Sequence, residues 1–151
     1  MTLSVADRLS LSDLVHRYAA YVDARRFDDV VELFTGTARL ELPQPPQHLG
    51  PTIHHECPDG VHTAMAALTE TARTHHGIVG EIYTATSKTA ATGAITGVAH
   101  HWLNDDGRIT DVVWYLRYAD EYRRTDEGWR IAVRALTIDA IETRPARHVR
   151  P

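Results

Sequence analysis

Cysteine is almost absent from this sequence. Cys57 is the single cysteine among 151 residues, so no disulfide can form within the chain, and a zinc site built from cysteine ligands is excluded. No apolar run approaches the roughly 20 residues that cross a bilayer as a helix. The first residues also lack the basic segment followed by a long apolar segment that is typical of a secretory signal. We therefore expect a cytoplasmic protein that does not enter membranes.

An excess of positive charge is lacking as well. Sixteen Lys and Arg residues against twenty Asp and Glu residues give a formal net charge of -4 and a pI near 6.2. Proteins that bind nucleic acid usually carry a basic surface, so we expect no nucleic-acid partner. Apolar residues make up 43% and charged residues 24% of the chain, which is ordinary for a globular domain with one core.

Phenylalanine is scarce, whereas histidine and the aromatic residues with a polar group are not. The chain has two Phe residues but six Tyr, three Trp and ten His residues. Tyrosine and tryptophan combine apolar surface with a hydrogen-bond donor, and histidine changes its charge near neutral pH. This composition suits an apolar pocket that contains a few polar groups.

Apolar spacing predicts three helices in the first half of the chain. Residues between Leu11 and Val22 recur every three or four positions, which indicates a helix that begins near Ser10. The same spacing predicts a short helix over 28–34 and a third helix over 61–73.

The rest of the chain predicts strands. A first strand is expected at 38–42, and residues 43–60 hold five of the seven prolines, which indicates a loop over a pocket mouth or at a sheet edge. Four strands separated by turns follow from residue 77 onward. Helices followed by such a meander are typical of an α+β fold. We expect one domain over 1–142 and a flexible tail over 143–151.

Two histidine doublets, His75–His76 and His100–His101, lie on neighbouring predicted strands. Side chains alternate between the two faces of a strand, so only one histidine of each doublet points inward. His76 is in step with apolar residues, namely Ile78, Gly80 and Ile82. His101 is in step with two small residues that leave room for a ligand, Gly97 and Ala99. We expect His76 and His101 to face one cavity, unless the pleat runs the other way. The alternative is that one histidine of each doublet is packed and the other is solvated.

The longest predicted strand carries a carboxylate on its apolar face. Asp120 shares that face with bulky residues, namely Trp114, Leu116, Tyr118 and Tyr122. A buried ionised carboxylate is costly, so Asp120 either stays neutral with a raised pKa, pairs with an arginine or contacts solvent.

Metal and cofactor motifs are weak in this chain. His54, His55 and Glu56 offer further metal ligands, but adjacent histidines rarely bind one ion, and no HExxH or facial-triad spacing is present. No glycine-rich phosphate loop, GxSxG turn or Cys–His pair stands out either. We expect neither a metal nor a cofactor.

Two segments of the chain carry a family resemblance. They are RYAAYVDARRFDDVVELFTGTARLELP, residues 17–43, and YADEYRRTDEGWRIAVRA, residues 118–135. They resemble the opening helices with the first strand, and the last hairpin, of the NTF2-like superfamily, in particular its SnoaL-like branch. The resemblance implies a cone-shaped, curved antiparallel sheet wrapped on three N-terminal helices, a cystatin-like α+β barrel with an apolar pocket at its open end. It also implies a homodimer formed through the outer face of the sheet.

Within that superfamily, the ketosteroid isomerase branch implies two hydrogen-bond donors. Its oxyanion hole consists of a tyrosine on the first helix and a neutral aspartic acid on a late strand, and the matching positions are Tyr18 and Asp120. Its general base is an aspartate just before a proline. The matching residue here is Leu42, so that base is absent.

The scytalone dehydratase-like branch implies a different set of residues. Its aspartate at the end of the first helix and its two strand histidines match Asp23, His76 and His101. A tyrosine beside that aspartate is replaced here by Val22, and a second tyrosine is replaced by Leu42.

We therefore predict a cofactor-independent acid–base enzyme, a dehydratase, isomerase or cyclase, that acts on a small hydrophobic oxygenated substrate such as a polyketide- or steroid-like ketone. His76 and His101 would share proton transfer, and Asp23 would orient one imidazole. Tyr18 and a neutral Asp120 would donate hydrogen bonds to a developing oxyanion. Further residues are expected to line the pocket: Tyr118, Trp114, Leu42, Val22 and Phe34.

Two other functions fit the same sequence. One is a non-catalytic module that binds a small hydrophobic ligand or presents a dimer surface, in which the histidines only pack and form hydrogen bonds. The other is water activation by Asp and Arg, as in epoxide hydrolases, although the sequence shows no clear Asp-Arg-Asp pattern.

Overall fold

The chain folds into three α-helices and one six-stranded sheet in a computed structural model that describes residues 1–151. The elements in chain order are α1 (Val5–Asp23), α2 (Phe27–Glu32), β1 (Phe34–Gln44), β2 (His48–Glu56), α3 (Asp59–Ala66), a 3₁₀ turn (Ala67–Glu70), β3 (Arg73–Ala85), β4 (Ala90–Asp105), β5 (Arg108–Thr125) and β6 (Gly128–Ala146). The predicted α+β class is confirmed. No helix is long and apolar enough to cross a membrane.

The sheet is curved and does not close on itself. Its strand order is β2-β1-β6-β5-β4-β3, so β2 and β3 form the two edges. Neighbouring strands are antiparallel except β1 and β6, which run parallel. Helix α2 leads into β1 at the end of the sheet where β6 begins, so these two strands run in the same direction and the sheet is mixed. The backbone N–H of Ile131 donates a hydrogen bond to the carbonyl of Leu33 at this junction.

Helix α1 begins earlier than its apolar spacing predicts. Ser4 is the N-cap and forms a capping box with Asp7, in which each side chain accepts a hydrogen bond from the other residue's backbone N–H. The predicted start at Ser10 is therefore wrong. The predicted inward face is confirmed, since all its members are buried: Leu11, Leu14, Val15, Tyr18 and Val22. They pack in a core of 24 residues between the helices and the inner face of the sheet.

Two segments expected to be irregular are paired strands. Residues 48–56 of the proline-rich segment form β2, which lies antiparallel to β1. Proline is tolerated there because β2 is an edge strand with one unpaired side. Residues 143–146 continue β6, because the long strand β5 offers them partners as far as Ile109. The irregular tail is limited to residues 147–151.

Candidate functional site

Asp23, the last residue of α1, lies against the start of β3. The Asp23 Oδ1 atom is 2.7 Å from Nδ1 of His76, and its Oδ2 atom accepts the backbone N–H of the same residue at 2.8 Å. The Thr74 hydroxyl donates a third hydrogen bond, to Oδ1, at 3.0 Å. The side chain and the backbone of His76 therefore each bind one oxygen of the same carboxylate.

The contact with Asp23 fixes the proton on the His76 ring. Burial raises the pKa of the Asp23 carboxyl, but the hydrogen bonds from His76 and Thr74 outweigh burial, and the net shift is downward. Asp23 is therefore ionised at neutral pH and can only accept hydrogen bonds, so Nδ1 of His76 carries the proton. Nε2 of His76 makes no hydrogen bond within the protein.

His101 lies beside His76 on the inner face of the sheet. The two ring centroids are 6.1 Å apart with the rings at 79°, and His101 is 7% exposed. Its Nδ1 atom is 2.9 Å from the carbonyl oxygen of Val112, which can only accept. Burial lowers the pKa of His101, and a smaller opposite contribution comes from that carbonyl. His101 is thus a neutral imidazole whose Nε2 atom is a free acceptor, and the Trp114 ring lies 4.5 Å from its centroid.

The other histidine of each doublet lies on the outer face. His75 and His100 are cross-strand partners there, with ring centroids 6.2 Å apart. Nδ1 of His100 is 2.8 Å from a carboxylate oxygen of the buried Asp111, and its ring stacks on Trp102. This second Asp–His pair has no counterpart in the sequence analysis, because only the strand register brings Asp111 opposite Trp102, beside His100.

A β-bulge at Val79 changes which β3 residues face inward. The register with β4 shifts between Ile78 and Gly80, and Val79 has no partner. The side-chain alternation therefore reverses beyond Val79. Ile82 is 68% exposed, whereas Tyr83 is buried. The prediction that Gly80 and Ile82 continue the inner face is wrong, but His76 precedes the bulge and keeps its predicted orientation.

Asp120 is buried and paired with an arginine, which corrects the expectation of a neutral acid. Arg134 donates two hydrogen bonds to its carboxylate, at 2.9 Å and 2.6 Å, and the Tyr122 hydroxyl donates a third at 2.6 Å. Both side chains of the ion pair are fully buried. Each Asp120 oxygen accepts a hydrogen bond, so this carboxylate is an acceptor in the core and not a donor to a ligand. Arginine pairing was one of the alternatives that the sequence left open.

Arg134 is a buried residue that sequence reasoning missed. Its guanidinium carbon lies 4.2 Å from the Tyr18 ring centroid and 4.1 Å from that of Tyr118. Its Nη1 atom is buried without a hydrogen-bond partner. The sequence does indicate that Arg134 points inward, because it lies on the same face of β6 as two core residues, Leu136 and Ile138. The inward-pattern argument used for Asp120 therefore also places Arg134 on the inner face, whereas the pairing of the two residues depends on the strand register.

Tyr18 and Tyr118 lie together above this ion pair. Their rings meet edge to face at a centroid distance of 5.9 Å, and burial raises the pKa of both phenols. Both phenols therefore stay protonated and keep an O–H donor at neutral pH.

The residues predicted to line a pocket fall into two groups. Val22, Phe34 and Tyr118 are 5% exposed or less and belong to the core. Leu42 and Trp114 are half-buried and pack against that core. Trp114 is the member of this set that contacts a candidate catalytic histidine.

A cavity of about 380 Å³ reaches Asp23 from the outside. It lies between the end of α1, the start of β3 and the C-terminal residues, and eight residues line it: Ala20, Asp23, Ala24, Arg73, Thr74, His75, Trp102 and Arg150. Two arginines give this cavity a more polar wall than the apolar pocket expected from the sequence.

The other candidate ligands for a metal ion are remote from these histidines. His54, His55 and Glu56 lie on β2, and His76 lies on β3, at the opposite edge of the sheet. No group of three or more His, Cys, Asp or Glu side chains is arranged to hold a metal ion.

Solved structures of similar fold cover nearly the whole chain. The Kfla4162 protein from Kribbella flavida is 26% identical, with a TM-score of 0.78 over 91% of this chain and 93% of that protein. A candidate scytalone dehydratase from Novosphingobium aromaticivorans is 18% identical, with a TM-score of 0.79 over 97% of this chain and 91% of the other. The hexachlorocyclohexane dehydrochlorinase LinA-type3 from Novosphingobium barchaimii is 15% identical, with a TM-score of 0.77 over 97% of each chain. The two likenesses below 25% identity show a shared fold.

Sequence comparison identifies the family. No curated protein sequence matches the chain. The family model described as the SnoaL-like domain matches residues 3–135, which include both segments that carry the resemblance. The chain therefore belongs to the SnoaL-like domain family.

Proposed function

We propose that this protein is a cofactor-independent acid–base enzyme that removes a proton from carbon and eliminates a neighbouring leaving group. The observation that carries the proposal is the Asp23–His76 pair at 2.7 Å with a second imidazole, His101, at a ring-centroid distance of 6.1 Å. An imidazole held by a carboxylate at Nδ1 presents Nε2 as a general base, and the carboxylate stabilises the imidazolium that forms.

The proposed reaction needs one base that also returns the proton. Nε2 of His76 takes the proton from carbon, and the electrons of that C–H bond form the new double bond. The leaving oxygen departs with the electrons of its own bond and takes the proton back from His76, which gives water. His101 is neutral, so its Nε2 atom accepts a hydrogen bond from a substrate hydroxyl and orients it. The two imidazoles have different partners at Nδ1, a carboxylate for His76 and a backbone carbonyl for His101, and we assign them different roles on that basis.

The proposed site includes Tyr18 as a hydrogen-bond donor and does not include Asp120. The Tyr18 phenol stays protonated because burial raises its pKa, and the Arg134 guanidinium beside its ring adds positive potential for a developing oxyanion. Asp120 instead holds Arg134 in place.

The names of two structural relatives favour elimination over isomerisation or cyclisation. Dehydrochlorinase and dehydratase both denote loss of a small molecule from adjacent atoms. A small hydrophobic substrate with an oxygen function fits the aromatic surroundings of His101, and we propose a β-hydroxy ketone as its class.

A homodimer through the outer face of the sheet completes the proposal. The bulge turns Val79 and Ile82 outward, where they are 72% and 68% exposed. Neighbouring exposed apolar side chains on a sheet face are typical of an association surface.

Deuterium exchange tests proton removal without knowledge of the true substrate. A panel of cyclic ketones and β-hydroxy ketones is incubated with the protein in D₂O, and loss of the α-proton signals is followed by NMR. We expect catalysed exchange with at least one compound, and a loss of about 10²-fold or more in His76→Gln. His75→Gln is the matched control, because this neighbour lies on the outer face and should exchange as the wild type does. Equal exchange in His76→Gln and the wild type would refute the assignment.

A further inference from the structure

We infer that Thr74 is a positioning residue that sets the orientation of Asp23 and therefore of the His76 base. The inference rests on the proposed function for the role of His76, but the hydrogen bond itself can be tested without any reaction. Thr74 touches neither reacting nitrogen and acts through the carboxylate.

The Thr74 hydroxyl has one partner. Its Oγ1 atom donates to Oδ1 of Asp23 at 3.0 Å, and this is the same oxygen that accepts Nδ1–H of His76 at 2.7 Å. Thr74 is 4% exposed, so solvent has little access to its hydroxyl. Two donors that share one carboxylate oxygen hold it at a fixed point between them.

The strand geometry makes this contact stiff. Thr74 and His76 are two residues apart on β3, so their side chains lie on the same face. Asp23 at the end of α1 spans both.

Thr74 also lies opposite the second imidazole on the neighbouring strand. It is the cross-strand partner of His101, and both residues face inward. The carboxylate, the hydroxyl and the two rings therefore form one contiguous group. The group includes the backbone N–H of His76, which donates to the other Asp23 oxygen.

Removal of the hydroxyl has a defined consequence. Asp23 keeps two hydrogen bonds of three, both from His76, and its Oδ1 atom loses one of the two donors that hold it in place. A carboxylate that loses a donor to its charged form is a weaker acid, and Thr74 is one of the groups that lower the pKa of Asp23. A purely structural threonine would leave this titration unchanged.

The test compares Thr74→Val, which keeps the shape, with Thr74→Ser, which keeps the hydroxyl. Carboxyl ¹³C NMR follows the titration of Asp23, and side-chain ¹⁵N NMR at neutral pH follows Nδ1–H of His76. In Thr74→Val we expect the Asp23 titration to move up by roughly half a pH unit or more and the Nδ1–H signal to broaden. Thr74→Ser should match the wild type in both signals. Thr84→Val is the matched control, because Thr84 is exposed on the same strand.

Two results would overturn the inference. One is an unchanged Asp23 titration in a folded Thr74→Val protein, and the other is an equal shift in Thr74→Ser. If valine prevents folding, Thr74→Ala gives the same comparison with a smaller side chain. With a compound whose deuterium exchange the wild-type protein catalyses, Thr74→Val should lower kcat about tenfold and leave KM unchanged. Loss of activity in His76→Gln tests the proposed function separately, since the NMR signals require no substrate.

Discussion

The Oδ1 atom of Asp23 and the Nδ1 atom of His76 are 2.7 Å apart, although 53 positions separate the two residues in the chain. The end of α1 and the start of β3 meet only in the folded protein, so the pair depends on the whole domain. Both oxygens of the carboxylate are held, because Oδ2 accepts a hydrogen bond from the backbone N–H of His76.

Asp23→Asn should leave the fold intact and reduce proton abstraction about 10³-fold or more. An amide can donate to Nδ1 as well as accept, so it no longer forces the proton onto that nitrogen, and it does not stabilise an imidazolium. The rate of α-proton exchange measures the effect. Asp13→Asn, on the exposed side of α1, serves as the control, and a wild-type rate in Asp23→Asn would contradict the role of the carboxylate.

Asp120→Asn should destabilise the protein by about 3–5 kcal/mol, because it leaves the Arg134 charge buried without its partner. Replacement of both residues, as in Asp120→Leu with Arg134→Met, should restore part of that loss, since the pair is then exchanged for apolar packing. The free energy of unfolding in urea measures each variant. If Asp120 were protonated, asparagine would replace one neutral group by another, and the loss of stability would be much smaller. An Asp120→Asn protein with the wild-type free energy of unfolding would therefore contradict the ion pair.

The free energy of unfolding should fall as the pH decreases below about 6.5, in part because of His101. Burial lowers the pKa of this imidazole below its ordinary value of 6.5. In the window between the native value and 6.5, the unfolded chain binds a proton at His101 and the native protein does not, so stability decreases as the pH falls through it. Asp23 acts in a separate window below 3.8, where protonation of its carboxyl removes the stability that its lowered pKa provides.

Urea unfolding between pH 5 and 8 separates the contribution of His101 from the rest. His101→Gln has no titrating group at this position and should show a flatter dependence of the free energy on pH than the wild type. His75→Gln changes an exposed histidine and should keep the wild-type slope. A slope in His101→Gln as steep as that of the wild type would contradict burial of a neutral imidazole.

Local patterns in the sequence predicted the parts of the site that depend on one element at a time. Helical spacing placed Tyr18 inward on α1, and strand alternation placed His101 inward on β4. The bulge at Val79 was not predictable, because one unpaired residue follows from the register with β4 and leaves no mark in the residue types. The partner of Asp120 depends on the register between β5 and β6, which a further irregularity beside Tyr122 shifts.

Substitution of Val79 and Ile82, the two apolar residues that the bulge turns outward, should dissociate the proposed homodimer. Val79→Asp with Ile82→Asp would place two charges where we expect the partner's apolar surface, and a desolvated charge at an interface is costly. Light scattering coupled to size-exclusion chromatography should give the mass of a dimer for the wild type and of a monomer for this variant. Leu9→Asp is the matched control, because Leu9 is 66% exposed but lies on α1. A wild-type monomer, or a dimer that survives both aspartates, would place association elsewhere or exclude it.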